Sequence, residues 1–152
     1  MMLEYTAMTS EQDKLTNITG ILIVAHQPLG NGFLDCIEHI LGKLPPLLVN
    51  YTIMPEADPN EEIAKLRMIL PTLDQGNGVL ILTDLYGATP ANIASKLLQR
   101  GQVECLAGLN LSMLLRAIQY RNKPLTEMTK KVLSGGQAGI LHMPVPEESH
   151  AN

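Results

Sequence analysis

Two short stretches carry the side chains that could do chemistry. In VAHQPLGNG (residues 24–32), His26 directly follows an apolar run. In ILTDLYGATPAN (residues 81–92), Asp84 ends a second apolar run, and a loop of small residues leads into Thr89-Pro90. A carboxylate that holds one imidazole nitrogen fixes the tautomer and makes the other nitrogen a better nucleophile. Thr89 suits a helix N-cap, and Pro90 suits the first helical position. Free N–H groups at such a helix start attract anions, and Gly87 and Ala88 lack the bulk to keep a phosphoryl group away. A nucleophilic ring, an orienting acid and an anion cradle together suit phosphoryl transfer through a phosphohistidine. In that chemistry positioning and charge stabilisation supply most of the catalysis. Each part also has a plain structural account. A lone histidine can simply close a strand, an aspartate can cap a turn, and Gly with Thr-Pro is common between a strand and a helix.

Whether the parts meet depends on the elements that carry them. GILIVA (20–25), LLVNYTIM (47–54), GVLILT (78–83) and VECLAGL (103–109) are short apolar runs of the kind expected for strands covered on both faces. Between them lie segments of helical spacing. Phe33, Leu34, Ile37, Ile40 and Leu41 define one over about 31–43, and Ile63, Leu66, Leu70 and Leu73 a second. That second helix opens with Asp58 as cap, Pro59 in the first turn and Glu61 at the capping-box position. A third starts at Thr89-Pro90 and carries Ile93, Ala94, Leu97 and Leu98, and SMLLRAIQY (112–120) is a fourth. A last amphipathic segment, about 125–134, is expected to end at Gly135-Gly136 before a short apolar piece, GILHM (139–143).

This alternation predicts an α/β fold: a doubly wound, mainly parallel sheet of four strands with helices on both faces. Ligand sites in such folds lie beyond the carboxyl ends of the strands, where strand order reverses. If the first and third strands are neighbours, His26 and Asp84 emerge side by side.

Composition narrows the function classes. A chain of 152 residues with 45% hydrophobic content suits one domain with a real core. The net charge of −4 and the lack of a basic stripe argue against nucleic-acid partners. No apolar run is long enough to span a bilayer, and the polar N-terminus is not a secretory signal. Cys36 and Cys105 form no disulfide or zinc spacing, which suits reduced thiols and a cytoplasmic location. There is no GxxxxGK[ST] and no GxSxG, and GNGFLD (30–35) has Asp35 where a dinucleotide fingerprint needs glycine. Cys36 and His39 stand one helical turn apart, but packing and solvation account for them better than a metal does. No metal or other cofactor is expected. Residues 1–18 read as an N-terminal extension, 19–143 as the functional domain and 144–152 as a tail.

The stretch Asp84-Leu-Tyr-Gly-Ala-Thr-Pro-Ala-Asn92, with GILIVAHQPLG (20–30) and CLAGLNLSMLLRAI (105–118), resembles the enzyme IIA component of the mannose family of the bacterial sugar phosphotransferase system. The resemblance covers roughly residues 20 to 143. It departs from the family pattern in having Gln27-Pro28 after the histidine, where Gly is common, and Ala88-Thr89 where Gly and Ser are frequent. The resemblance implies that His26 accepts a phosphoryl group from the phosphocarrier HPr and that Asp84 orients it. Amides around Gly87, Ala88 and Thr89, with the Thr89 hydroxyl, would hold the phosphate, and Gln27, Tyr86 and Asn110 are further candidates to line the site. The acceptor would be a separate IIB protein or a regulatory partner. The resemblance also implies a homodimer in which the C-terminal strand, here 139–143, is exchanged onto the partner's sheet, covering an open edge. The rival reading is a non-catalytic anion- or ligand-binding module on the same fold, which would have no need of both His26 and Asp84.

Overall fold

The computed structural model describes residues 18–148. The expected extension over 1–18, apart from its last residue, lies outside the described residues, as do the last four residues of the expected tail. Four strands alternate with helices: β1 Gly20–His26, α1 Leu29–Leu41, β2 Leu48–Ile53, α2 Pro59–Leu73, β3 Val79–Thr83, α3 Thr89–Ser95 and β4 Val103–Leu106. Two further helices follow, α4 Leu111–Tyr120 and α5 Leu125–Ala138.

The sheet is parallel throughout, in the order β2-β1-β3-β4. Strand order therefore reverses between β1 and β3, and the C-terminal ends of these two neighbours form the crevice expected to hold a ligand. Their continuous apolar runs follow from burial on both faces. Ile21, Ile23, Leu80 and Leu82 pack on one side with Ile37 of α1, Leu114 of α4 and Met128 of α5. Leu22, Val24, Val79 and Ile81 pack on the other with Leu66 of α2 and Ile93 of α3.

Local chemistry sets several boundaries. Asp58 caps α2 by accepting from the Asn60 and Glu61 N–H groups, with Pro59 at the first position as expected. At the amino end of the sheet the buried Arg121 stitches the layers together, with no carboxylate partner among the described residues. Its guanidinium donates to the carbonyls of Thr19, Pro46 and Leu47 at 2.6–3.1 Å. Burial lowers its pKa to about 10.

Three expectations are not met within the single chain. Helix α5 does not stop at Gly135-Gly136 but runs through them to Ala138. The glycines are there for packing: a Cβ at Gly135 would lie 2.5 Å from Arg116 Cγ, and one at Gly136 2.4 Å from Met113 Cγ. Only glycine lets α5 approach α4 so closely. Second, residues 139–143, expected as a strand exchanged onto a partner's sheet, form no strand within the single chain and run on to Glu148 as irregular structure. A strand needs a partner edge, and none of this chain's own strands pairs with them. Third, α3 is shorter than its apolar spacing suggests. It ends at Ser95, so that Leu97 is buried from the following turn while Leu98 is exposed.

Candidate functional site

His26 is the last residue of β1, and Asp84 is the first residue beyond β3. Because the two strands are neighbours in register, the two side chains meet. His26 Nδ1 lies 2.6 Å from Asp84 Oδ2, and the His26 backbone N–H donates to the same oxygen at 2.9 Å. The other carboxylate oxygen, Oδ1, accepts the Leu85 N–H at 2.8 Å. The backbone of Asp84 is held as well. The Gly108 N–H donates to its carbonyl and the Leu109 N–H to that of Thr83, both at 2.9 Å.

This arrangement fixes the electrostatics. Burial raises the Asp84 pKa, but the His26 backbone N–H, the His26 ring and the Leu85 N–H together outweigh it and hold the carboxyl below its usual range. Asp84 is therefore an anion at neutral pH, with only 8% of its side chain exposed, against 48% for His26. An ionised carboxylate only accepts, so the ring must carry its proton on Nδ1 when neutral. That leaves Nε2 as the nitrogen with a free lone pair, on a ring that solvent can reach.

The loop after Asp84 supplies the second half of the crevice. Gly87 adopts φ +84°, a left-handed conformation in which a side chain would be strained. The expected N-cap shifts by one residue. Ala88, in extended conformation, takes that place, Thr89 is the first helical residue, and Pro90 follows. The Ala88 N–H is spent on the Leu85 carbonyl at 3.2 Å, and the Asn92 side chain donates to the Gly87 carbonyl. Among the described residues, the N–H groups of Gly87 and Thr89 have no partner within the chain, and the Thr89 side chain is exposed. The amides at 87 and 89 and the Thr89 hydroxyl are thus free to donate, whereas the Ala88 amide is not.

The remaining candidates divide. Gln27 and Tyr86 are exposed beside the ring and the loop, Tyr86 to 87%. Asn110 is engaged elsewhere: its Oδ1 caps α4 through the Met113 N–H, and its Nδ2 donates to the Gly136 carbonyl on α5. It braces the loop that holds the Asp84 backbone. Sequence reading missed an apolar rim. Leu29, Met54, Leu85 and Tyr86 are all exposed around the two strand ends, and Met54 directly follows Ile53, the residue paired with His26. Its four members come from three separate stretches of the chain, the start of α1 and the segments after β2 and β3, so no local pattern signals it. Among the described residues no cluster of His, Cys, Asp and Glu could hold a metal ion, and no helix is long and apolar enough to cross a membrane.

Known proteins share this arrangement of elements. A family model described as PTS system fructose IIA component, EIIA-man, matches residues 20–133. The sorbose-specific EIIA component of Lacticaseibacillus casei is 27% identical over 119 residues, covering 74% of this chain and 82% of that protein. The mannose-specific EIIAB component of Escherichia coli K12 is 31% identical over 81 residues, which span half of this chain (51%) but only 25% of that longer protein. Among solved structures, the mannose/sorbose-specific IIA subunit from Enterococcus faecalis superposes with a TM-score of 0.76 at 26% identity, covering 87% of this chain and 99% of that one. The phosphotransferase system component EIIA from Streptococcus agalactiae gives 0.74 at 29% identity, covering 82% and 97%.

Proposed function

This chain belongs to the EIIA-man family of phosphotransferase-system components, and from that premise we propose that it relays a phosphoryl group through His26. The donor is the phosphohistidine of a carrier of the HPr type, and the acceptor is a separate IIB protein or a regulatory partner, in the cytoplasm. The observation that carries this reading is the 2.6 Å contact between Nδ1 and Asp84. It commits one ring nitrogen to the carboxylate and leaves Nε2 to attack.

In the forward step the Nε2 lone pair attacks phosphorus. The bond between phosphorus and the carrier's ring nitrogen breaks, and the carrier's ring keeps that electron pair. The new P–N bond puts positive charge on the His26 ring, which Asp84 balances while the Nδ1 proton stays between them. The amides of Gly87 and Thr89 and the Thr89 hydroxyl face the phosphoryl oxygens. Such donors each contribute little next to a group of about −1.5 to −2 charges. That suits a relay, which must hold phosphate without trapping it. The apolar rim of Leu29, Met54, Leu85 and Tyr86 suits a protein donor, since it offers contact area around the ring.

The assembly implied by the family fits two features of the single chain. Among the described residues, the outer edge of strand β4 is bridged only at Val103, by Gln99, and beside it lies a cavity of about 620 Å³ lined by residues such as Leu98, Leu106 and Leu133 and reaching Tyr86 and Gly87. Ile140, Leu141, Met143 and Val145 are 76–87% exposed on the segment after α5. In a homodimer each copy's segment would add a strand to the other's β4 edge and bury those side chains.

Mixing the chain with phosphorylated carrier tests the relay. One acid-labile, base-stable phosphate per chain is expected, absent in His26→Ala; labelling that persists in that variant removes the assignment. Removing residues beyond 138 should convert a dimer to monomers in light scattering, and an unchanged mass rules the strand exchange out.

A further inference from the structure

We infer that Asn50 is a positioning residue for the nucleophilic turn, setting from β2 where α1 begins and so how the His26–Gln27–Pro28 segment leaves the sheet. This deepens the relay reading and rests on it for its consequence in phosphoryl transfer.

Strand β1 has a neighbour on each side, and each supplies one polar group to the turn that follows His26. From β3 comes Asp84, which holds the upstream end by the His26 N–H and the ring. From β2 comes Asn50, paired in register with Ile23. Its Nδ2 donates to Asn31 Oδ1, in the first turn of α1, at 2.9 Å, and to Thr52 Oγ1 at 3.2 Å.

Nothing local does this work. The N-cap of α1 is Pro28, which makes no side-chain capping bond, and Leu29 is too exposed to anchor the helix by burial. The contact with Asn50 is also steric. Gly30 is buried, and a Cβ there would lie 1.8 Å from Asn50 Oδ1 and 2.4 Å from its Cγ. The amide thus occupies the space that any other residue at 30 would need, which sets the height of the first helical turn above the sheet.

The amide is costly where it sits. Among the described residues, Oδ1 is buried with no partner. Turning the amide over only exchanges which atom is orphaned, because Asn31 and Thr52 both lie on the other side. A buried amide that leaves one atom unsatisfied is a poor source of stability. What it supplies is position: it joins α1 to β2 four to five residues after the nucleophile.

The test uses the intact chain. In wild type, 15N spectra of the His26 ring should show a single tautomer with the proton on Nδ1. Asn50→Ala should fold with an unchanged or higher thermal midpoint, yet show a mixture of tautomers and accept phosphate from the carrier about ten- to a hundredfold more slowly, as expected for a misplaced nucleophile. Asn31→Ala removes the same bond from an exposed position and should reproduce the ring spectrum, so the inference can be judged even if Asn50→Ala fails to fold. Gly30→Ala should disturb the ring as well, and adding Asn50→Ala should relieve that variant's loss of stability without restoring the wild-type tautomer. Wild-type ring spectra in folded Asn50→Ala, or in Asn31→Ala, overturn the assignment. Wild type that takes no phosphate refutes the relay instead, while the spectra still decide the role of Asn50.

Discussion

Replacing Asp84 by asparagine tests the pairing on which the site depends. The carboxylate accepts three N–H groups, two from His26 on Oδ2 and one from Leu85 on Oδ1. An asparagine has one accepting oxygen. If that oxygen faces His26, the amide Nδ2 opposes the Leu85 N–H. If it faces Leu85, the amide opposes both His26 groups and drives the ring proton to Nε2, the nitrogen that must attack. Hydrogen bonds to a charged group contribute about 1.5–3 kcal/mol each. The half-exposed ring places its own bond at the lower end of that range. The substitution also removes the negative charge that balances the phosphorylated ring. A combined loss of about 2–3 kcal/mol in the transition state corresponds to transfer about 30- to 160-fold slower. Rapid-quench measurement of phosphate uptake from labelled carrier reads this directly. The charge has a second signature. Because the folded-state pKa of Asp84 is depressed, its contribution to stability is present above the unfolded value of about 3.9 and lost as pH falls through the folded value. Wild type should therefore lose its stability advantage over Asp84→Asn as pH drops below about 4. Transfer within threefold of wild type, with the ring proton still on Nδ1, would refute the orienting role.

Two predictions concern the scaffold. Gly136→Val should separate α4 from α5, since even a Cβ there meets Met113 at 2.4 Å; a destabilisation of about 1–3 kcal/mol is expected in urea unfolding, and an unchanged midpoint would disprove the close contact. Arg121→Met should remove the guanidinium's bonds to the carbonyls of Thr19 and Pro46, while Leu47 keeps the Ile21 N–H, and cost about 3 kcal/mol, with Arg121→Lys recovering only part because a single ammonium cannot reproduce the planar fork; equal thermal midpoints for Arg121→Met and wild type would contradict this.

Much of the fold is legible in the amino-acid sequence. The four strands appear as apolar runs because both faces of the sheet are covered, and the start of α2 is written in Asp58-Pro59 because capping is local chemistry. Local reading fails where a residue answers to a distant neighbour. Gly135-Gly136 reads as a helix end but serves the approach of α4. Thr89 has the right side chain for a cap, yet the backbone places Ala88 there. The segment 139–143 has strand composition, but whether it forms a strand depends on a distant edge, and none of this chain's own strands pairs with it.

By itself the sequence determined the order of elements, the positions of His26 and Asp84 at two strand ends, and the small-residue loop between Asp84 and α3. These are encoded by side-chain type and spacing within a few residues. Tertiary structure alone decided that β1 and β3 are neighbours, that Nδ1 rather than Nε2 faces the carboxylate, that the Ala88 amide is already spent, and that Asn50 reaches Asn31 from β2. Each of those depends on which strand lies beside which, and strand order is set by packing over the whole chain rather than by any local run of residues.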